Sequence, residues 1–330
     1  MTRVAAIVAR SLLFAISCLL SAIFGILAYR FVVLRVEPRI IRLKRDRYIF
    51  SRIGSFKHFY EPKANTITED NPGEGLSFTG TATINADSLN DRYNYSIEKP
   101  DGTYRIVTMG DSFTYGLFVN TQDNYSEQLE DKLNANLCPG VNHYEVINLG
   151  VSGYDVGFST ERFRLRGQKY NPDLVIWFMN PHNFSTYQDY QITLEDKYFK
   201  KMSDEELRKR EAKGEWFYWW ARASTETINA YGPDRIMAQQ ATYLTDFASY
   251  YNGPLVLALN QPDQWSPYEQ WIVKNYQFSH PDVRLFSGLP KLSRDETFFP
   301  DIHPNIKGHK LIATSLYSYL TTEHLLGCSN

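Results

Sequence analysis

Five apolar runs divide the second two thirds of the chain, and each is bounded by turn-forming residues. They are rich in β-branched and aromatic side chains, which is typical of buried strands. The runs lie at residues 104–109, 144–149, 174–179, 254–260 and 283–286. The sequence therefore predicts a sheet of five strands in this part of the chain.

Segments with helical spacing separate these runs. Residues 123–137 place Tyr125, Leu129 and Leu133 on one face, and residues 160–169 and 234–250 are also helical in pattern. A final helix follows His309, with apolar side chains at residues 311, 312, 316 and 319. Strands that alternate with helices predict an α/β fold with a parallel sheet and right-handed crossovers.

About seventy residues separate the third and fourth strands, which is too long for one crossover. Residues 186–231 are interpreted as an inserted cap, with a capping box at residues 203–206 and five aromatic residues at 216–220. This aromatic run is expected to pack the insertion onto the domain, to line a substrate cleft or to touch lipid headgroups. The polar, Gly- and Pro-containing residues 61–80 are expected to form a linker or surface loop.

The amino-terminal part of the chain is apolar in a different way. Residues 11–29 carry no charge, and nineteen helical residues reach about 28 Å, close to the hydrocarbon thickness of a bilayer. This pattern predicts a single membrane-spanning helix, with a cleaved signal peptide as the alternative. The predicted organisation is a membrane anchor with a basic juxtamembrane segment at residues 1–47 and a globular domain at residues 48–330.

Charge is distributed unevenly between these two parts. The net charge of the chain is −2, but residues 1–47 hold nine Arg or Lys residues and two acids, so the globular part is mildly acidic. An acidic domain is a poor partner for nucleic acid. The basic residues that follow the apolar segment favour a cytoplasmic location for what comes next, unless they lie against anionic headgroups.

Candidate chemistry is concentrated at the predicted strand ends. Ser112, within Gly110-Asp111-Ser112, falls between the first strand and the following helix, where open α/β sheets carry their active sites. By itself this motif is equally compatible with an ordinary turn and a capping serine. Asp301 and His303 precede the last helix, so a base and an orienting acid are available to a serine nucleophile.

Four segments together resemble the conserved blocks of the SGNH (GDSL-like) hydrolase family. They are residues 106–116, residues 148–153, the Asn180-Pro181-His182-Asn183 segment, and residues 301–309. The resemblance implies Ser112 as nucleophile, His303 as base and Asp301 as acid, with Asp295 as a spare acid. It also implies an oxyanion hole formed by Ser112, Gly153 and Asn183. The third block departs from the usual Gly-x-Asn-Asp pattern, so His182 and Asn180 are alternatives to Asn183.

The same resemblance implies a three-layer α/β/α, flavodoxin-like fold. In that fold the helices that precede Cys138 and Cys328 are neighbours that end at the non-catalytic edge of the sheet. A disulfide between these two cysteines is therefore an expectation, and it would place the domain outside the cytoplasm. The basic residues after the apolar segment favour the opposite location, inside the cytoplasm.

The function implied is that of a membrane-anchored serine esterase that forms an acyl-enzyme. Its expected substrates are O-acyl esters, O-acetyl esters above all, of cell-envelope or surface carbohydrate, with lipid esters as the second choice. The alternatives are an O-acyltransferase and a catalytically inactive carbohydrate-binding or assembly protein on the same fold. No metal or organic cofactor is expected, since His303 and His309 lack a third ligand and the sequence has no CxxC motif.

Overall fold

The computed structural model of the chain describes residues 47–70, 79–199 and 216–329, together with the single residues 21, 202, 203, 205, 206 and 209. The strands in these parts of the chain are β1 (Tyr48–Ile53), β2 (Phe56–Pro62), β3 (Thr66–Asp70), β4 (Gly80–Ile84), β5 (Thr103–Met109), β6 (His143–Asn148), β7 (Leu174–Met179), β8 (Leu255–Leu259) and β9 (Val283–Phe286). The α-helices are α1 (Ser112–Tyr115), α2 (Tyr125–Asn134), α3 (Val156–Arg162), α4 (His182–Ser185), α5 (Gln188–Phe199), α6 (Trp216–Tyr231), α7 (Pro233–Phe247), α8 (Pro267–Ser279) and α9 (Ile306–Thr322).

The five predicted strands are confirmed, as β5 to β9. They form one sheet in the order β6-β5-β7-β8-β9, and every neighbouring pair is parallel. In this flavodoxin-like order the chain reverses direction across the sheet after β6, so a crevice opens at the carboxyl ends of β5 and β7. Ser112 follows β5, and the segment that contains Asn180 follows β7.

Successive side chains of the strands point to opposite faces, and each face is covered by helices. On one face, Ile106, Val146 and Ile176 pack with apolar residues of α2 and α9. On the other face, Val107 and Trp177 pack with apolar residues of α3, α7 and α8. Burial of each such side chain stabilises the fold by about 1.5–3 kcal/mol. The sheet is thus the middle of three layers.

The helix expected at residues 160–169 has different limits. Asp155 caps α3, because its carboxylate accepts a hydrogen bond from the Phe158 N–H. The helix therefore begins at Val156, before the basic residues that defined the prediction. A π-helical turn at Phe163–Gly167 and a 3-10 turn at Gln168–Tyr170 continue the chain towards β7.

Two hairpins precede the sheet, β1 with β2 and β3 with β4, both antiparallel. The prediction of a linker at residues 61–80 is wrong for Thr66–Asp70, which pairs along its whole length with Gly80–Ile84. Residues 71–78 of that segment lie outside the described residues. The pairing partner lies beyond a Gly- and Pro-containing stretch, so the local pattern did not reveal it.

The β1–β2 hairpin is attached to the domain that contains the five-stranded sheet through an aromatic cluster. Phe56, Phe59 and Tyr60 of β2 pack on Tyr154 and Phe158. This contact places β2 beside the loop that follows β6.

The predicted inserted segment contains α5 and α6, which contact each other. Tyr231 of α6 packs edge-on against Tyr187 and Tyr190. The side chains of residues 216–219, most of the predicted aromatic run, lie outside the described set. The choice between packing, cleft lining and lipid contact for that run stays open.

The predicted membrane helix at residues 11–29 also lies outside the described residues, apart from Ser21. Among the residues that the structure does describe, none forms a helix with the length and apolarity needed to cross a bilayer.

Cys138 and Cys328 are joined by a disulfide, with their Cα atoms 5.5 Å apart. The bond links the segment after α2 to the segment after α9. Cys138 Sγ lies 3.1 Å from the hydroxyl of Tyr144, at the start of β6. The disulfide is therefore at the amino-terminal edge of the sheet, opposite the edge that carries Ser112.

Candidate active site

Ser112 lies in a tight turn between β5 and α1. Gly110 has φ +150°, and a Cβ at this position would come within 2.8 Å of the Phe178 carbonyl oxygen and closer still to Thr114 Oγ1. Glycine is therefore required where the chain leaves the sheet. Asp111 then caps the short helix by accepting a hydrogen bond from the Phe113 N–H at 3.0 Å.

Ser112, His303 and Asp301 are brought into hydrogen-bonding contact from opposite ends of the domain. Ser112 Oγ lies 2.8 Å from His303 Nε2, and His303 Nδ1 lies 2.6 Å from Asp301 Oδ1. The same carboxylate oxygen accepts the backbone N–H of His303 at 2.7 Å. The loop before α9 thus holds Asp301 and His303 in contact, despite their two-residue spacing.

Aromatic rings enclose the imidazole of His303. The ring of Phe113 lies 5.2 Å from it and the ring of Phe118 lies 5.5 Å from it, centroid to centroid. Ser112 itself is only 8% exposed. The two ring contacts and the two hydrogen bonds of His303 hold its imidazole in one orientation.

The pKa of Asp301 is shifted by its surroundings. Burial opposes ionisation of this carboxyl, but the hydrogen bond and the charge of His303 outweigh it, and the pKa is lowered below its usual value. Asp301 is therefore ionised at neutral pH and can orient an imidazole. Asp295, the spare acid, lies in an exposed turn, and its backbone carbonyl accepts a hydrogen bond from Asn305 at 2.9 Å.

The loop after β6 packs against the turn that contains Ser112. The Val151 N–H donates to the Gly110 carbonyl at 3.2 Å, and Asn148 Nδ2 donates to the Thr114 carbonyl at 2.9 Å. Gly153 lies at the end of this loop with φ +82°. The structure therefore brings the second predicted block beside the first.

The third block forms its hydrogen bonds with Asp111, the residue before Ser112. Asp111 Oδ2 accepts hydrogen bonds from Asn180 Nδ2, Asn183 Nδ2 and His182 Nε2, each at 2.9 Å. Asn183 Nδ2 also donates to the Tyr154 carbonyl at 3.0 Å. Both amide hydrogens of Asn183 are thus used within the protein, so in this geometry neither remains for an oxyanion. Asn180 Oδ1 accepts a hydrogen bond from Asn260 Nδ2 at 2.7 Å.

Asp111 is a buried carboxylate that these contacts keep ionised. Burial raises its pKa, but the hydrogen bond and charge of His182 outweigh this effect, with the Asn180 side chain and the Phe113 N–H adding to it, and the pKa falls to about 2. The negative charge ties the turn that carries Ser112 to the segment after β7. The sequence motif contains Asp111, but nothing in its local pattern indicated this role. The local sequence did not indicate the contact between Asn260 and Asn180 either, although Asn260 lies at a strand end.

His309 is not part of this constellation. Its ring is fully buried, and its Nδ1 accepts the backbone N–H of Tyr125 at 3.2 Å. Burial lowers its pKa to about 3, with the charge of His303 adding to the effect. Among the described residues, no group of three or more His, Cys, Asp or Glu side chains is arranged to hold a metal ion.

Comparison with known proteins assigns this fold and site to the class of ester hydrolases. The family model of the GDSL-like Lipase/Acylhydrolase family matches residues 108–311, which is more than half of the chain. The chain belongs to this family, and it is a hydrolase that acts on ester bonds. The match covers both the turn that contains Ser112 and the loop with Asp301 and His303.

Solved structures with a related chain path are only distantly similar. The crystal structure of TesA is 13% identical, with a TM-score of 0.43, and the alignment covers 66% of this chain and 98% of TesA. A family 3 carbohydrate esterase from Clostridium thermocellum is 15% identical, with a TM-score of 0.41 and coverage of 68% and 100%. An acetyl xylan esterase variant from Geobacillus stearothermophilus is 15% identical, with a TM-score of 0.39 and coverage of 65% and 93%. A search of curated protein sequences finds no significant match.

Proposed function

We propose that Ser112, His303 and Asp301 form a catalytic triad that hydrolyses O-acyl esters through an acyl-enzyme. The observation that carries the proposal is the continuous path from Ser112 Oγ to His303 Nε2 at 2.8 Å and from His303 Nδ1 to Asp301 at 2.6 Å. Nucleophile, base and orienting acid within hydrogen-bonding distance are the requirements for an activated serine.

The chemical steps follow from this arrangement. Ser112 Oγ attacks the carbonyl carbon of the ester while its proton moves to His303 Nε2. Asp301 accepts the Nδ1–H hydrogen bond and stabilises the imidazolium that forms. The tetrahedral intermediate then expels the alcohol, which takes the proton from His303. A water molecule, activated by the same imidazole, releases the acyl group from Ser112.

The oxyanion that forms on the carbonyl needs hydrogen-bond donors. The backbone N–H groups of Ser112 and Gly153 are the proposed pair, each typically worth about 3 kcal/mol of barrier in comparable sites. Asn183 uses both of its amide hydrogens elsewhere. Asn180 Nδ2 and His182 Nε2 each give one hydrogen bond to Asp111, so a third donor would come from the second amide hydrogen of Asn180 or from the Nδ1 side of the His182 ring. Asn180→Ala and His182→Ala, compared by their kcat values, distinguish these two residues.

The proposed substrate is an O-acetyl ester of envelope or surface carbohydrate. The low exposure of Ser112 favours a small acyl group, and the partly exposed His182 offers a polar partner to sugar hydroxyls. A disulfide is typical of proteins in oxidising compartments, which supports a domain on the outer side of a membrane anchor.

A lipid ester is the second candidate substrate, favoured by a specific surface feature. Phe299 and Ile302 flank the catalytic acid in the chain and are 54% and 68% exposed. Apolar side chains beside the triad would suit an acyl chain longer than acetyl. Comparing p-nitrophenyl acetate with p-nitrophenyl octanoate separates the two candidates, because kcat/KM should favour the acetate by at least about tenfold if acetyl is the preferred group.

The test of the proposal is covalent labelling by a fluorophosphonate probe. The purified protein should be labelled, and both Ser112→Ala and His303→Ala should abolish labelling and the hydrolysis of p-nitrophenyl acetate. Acetylated polysaccharides are then assayed for acetate release, with and without an added sugar acceptor to detect transfer. A folded wild-type protein that neither labels nor hydrolyses any ester would contradict the proposal and would favour a binding role on the same fold.

A further inference from the structure

The β1–β2 hairpin contacts the loop that contains Gly153. Tyr60, on β2, donates a hydrogen bond from its hydroxyl to the Ser152 carbonyl oxygen at 2.6 Å. The side chain is buried, with 6% of its surface exposed. Tyr60 lies outside the residues matched by the family model, which begin at residue 108. The hairpin therefore brings a side chain to the site that the family resemblance does not include.

The Ser152 carbonyl and the Gly153 N–H belong to the same peptide group. In a planar trans peptide the two point in opposite directions, so holding the carbonyl on one side fixes the direction of the N–H on the other. A hydrogen bond accepted by the carbonyl also polarises the amide and makes its N–H a stronger donor. The phenol of Tyr60 therefore acts on the group proposed to bind the oxyanion.

The surroundings of Tyr60 keep this hydrogen bond in place. A Cβ on Gly153 would lie 2.8 Å from the Tyr60 hydroxyl, so the glycine leaves the space that the phenol occupies. Gln188 Nε2 lies 3.5 Å from the same hydroxyl and donates towards it. Burial raises the pKa of Tyr60 well above its usual value, so the hydroxyl stays protonated as a donor.

The backbone of β2 is attached to the domain on both sides of the phenol. The Tyr154 hydroxyl donates to the Tyr60 carbonyl, and Arg162 pairs with Glu61. Asp189 Oδ1 accepts the backbone N–H groups of Lys57 and His58 at 2.8 and 2.7 Å. These contacts leave the phenol little freedom to move away from the Ser152 carbonyl.

We infer that Tyr60 is a positioning residue of the oxyanion hole, which orients and polarises the Ser152–Gly153 peptide from the amino-terminal hairpin. The inference rests on the proposed function, in which the Gly153 N–H binds the oxyanion. Tyr60 itself touches no reacting atom. Its effect is exerted on the transition state, because the oxyanion forms only there.

Tyr60→Phe removes the hydroxyl and keeps the ring. Loss of a direct oxyanion donor lowers kcat by about 10²–10³, and an indirect effect should be smaller, about 5- to 30-fold, with KM within about twofold of wild type. Tyr48→Phe is the matched control, since Tyr48 packs edge-on against Tyr60 at 5.2 Å from the same hairpin. The control should keep wild-type kcat. A folded Tyr60→Phe protein with unchanged kcat, or with equal losses in both variants, overturns the inference.

A spectroscopic measurement separates failure of this inference from failure of the proposed function. The dipeptide Ser-Gly occurs twice in the sequence, at residues 152–153 and 287–288. Labelling serine with ¹³C at the carbonyl and glycine with ¹⁵N therefore isolates two amide signals by NMR. In Tyr60→Phe the Gly153 signal should move upfield while the Gly288 signal stays in place. An unmoved Gly153 signal overturns the inference even if the enzyme is active. A moved signal in a protein without esterase activity contradicts the proposed function and leaves only the effect of Tyr60 on the Ser152–Gly153 peptide.

Fluorinated tyrosines at position 60 provide a second series should the phenylalanine variant fail to fold. They keep the ring and the hydroxyl but make the phenol a progressively stronger donor. If Tyr60 polarises the oxyanion peptide, kcat should change in the order of phenol acidity while KM stays constant. A kcat that is the same across the series contradicts the inference.

Discussion

At the scale of single residues, the site depends on two buried or half-buried aspartates with different tasks. Asp301 contacts the imidazole of His303, and Asp111 binds the side chains that follow β7. Both carboxyls have a pKa below their usual value, because hydrogen bonds to histidine outweigh the effect of burial. The negative charge of each is thus retained where it orients a neighbouring group.

Asp301→Asn should lower kcat by about 10²- to 10⁴-fold at neutral pH with little change in KM. The amide cannot accept the Nδ1–H bond as a carboxylate does, and it does not stabilise the imidazolium. The measurement is steady-state hydrolysis of p-nitrophenyl acetate. Asp295→Asn is the matched control, an exposed acid on the same loop, and it should retain wild-type kcat. If Asp295→Asn were the more damaging change, the assignment of the acid would have to be reversed.

At the scale of elements, helix α2 is held at its carboxyl-terminal end and near its middle. The disulfide fastens the segment that follows α2 to the segment that follows α9. Near the middle of α2, Glu130 is buried and accepts hydrogen bonds from the Val146 N–H at 2.7 Å and the Tyr95 hydroxyl at 3.0 Å. These contacts connect the helix to the edge strand β6.

Removing the disulfide with Cys138→Ser and Cys328→Ser should lower the free energy of unfolding by about 3–5 kcal/mol. The bond closes a loop of 190 residues, and the loss of this constraint increases the entropy of the unfolded chain. Urea denaturation with and without reductant measures the effect. Reductant should shift the wild-type midpoint to that of the double variant and leave the double variant unchanged. Esterase activity of the folded variant should persist, because the bond lies at the opposite edge of the sheet.

Glu130 is expected to make stability depend on pH. Burial raises the pKa of Glu130 to about 7, and the charge of Glu127 adds to the effect. The folded state therefore holds a proton that the unfolded state releases near its usual pKa. The stabilisation is complete below the unfolded value of about 4.5 and is lost as the pH rises through about 7. The raised pKa values of Asp91 and Glu127 act in the same direction.

Glu130→Gln should reduce the loss of stability between pH 5 and pH 8 by about 2–3 kcal/mol. The amide oxygen can still accept a hydrogen bond but does not ionise. Chemical denaturation at a series of pH values provides the measurement. Asp101→Asn removes one negative charge from an exposed turn and serves as the control. An unchanged pH dependence in Glu130→Gln would show that the proton is held elsewhere in the cluster.

At the scale of the whole molecule, the amino-terminal hairpins connect the predicted anchor to the catalytic domain. The chain enters β1 directly after the basic juxtamembrane segment, and β2 contacts the loop that contains Gly153 through Tyr60. The part of the chain that precedes the family match is therefore in contact with the site. A truncation that starts at the family match would lose Tyr60 along with the anchor.

The predicted anchor and sidedness lead to a fractionation experiment. The full chain should sediment with membranes, and a chain that begins at residue 48 should not, because the apolar segment 11–29 is then missing. A carboxyl-terminal alkaline phosphatase fusion should be active and a green fluorescent protein fusion dark if the domain is outside the cytoplasm. The opposite pattern would favour the orientation suggested by the basic residues after the segment.

The local sequence determined the parts of this protein that depend on short-range patterns. The five strands of the sheet follow from continuous apolar runs. The alternation of strands and helices places Ser112, Gly153 and Asn180 after strands and His303 before the last helix. In a parallel sheet the carboxyl ends of all strands share one edge, so these residues could be predicted to lie together before any distance was known. The hairpin at Thr66–Asp70 was missed because its partner strand is separated from it by a polar stretch.

Only the tertiary structure decided which hydrogen bonds these residues make. Asn183 has a side-chain amide that could donate to an oxyanion, but its two amide hydrogens are donated to Asp111 and to the Tyr154 carbonyl. The contact between Tyr60 and Ser152 joins residues 92 positions apart, and no local pattern relates them. The type of a side chain determines which hydrogen bonds it can form. Its actual partners depend on how loops that are distant in the sequence pack together. The physical reason is that hydrogen bonds act over about 3 Å, far below the precision with which a sequence pattern places two distant loops.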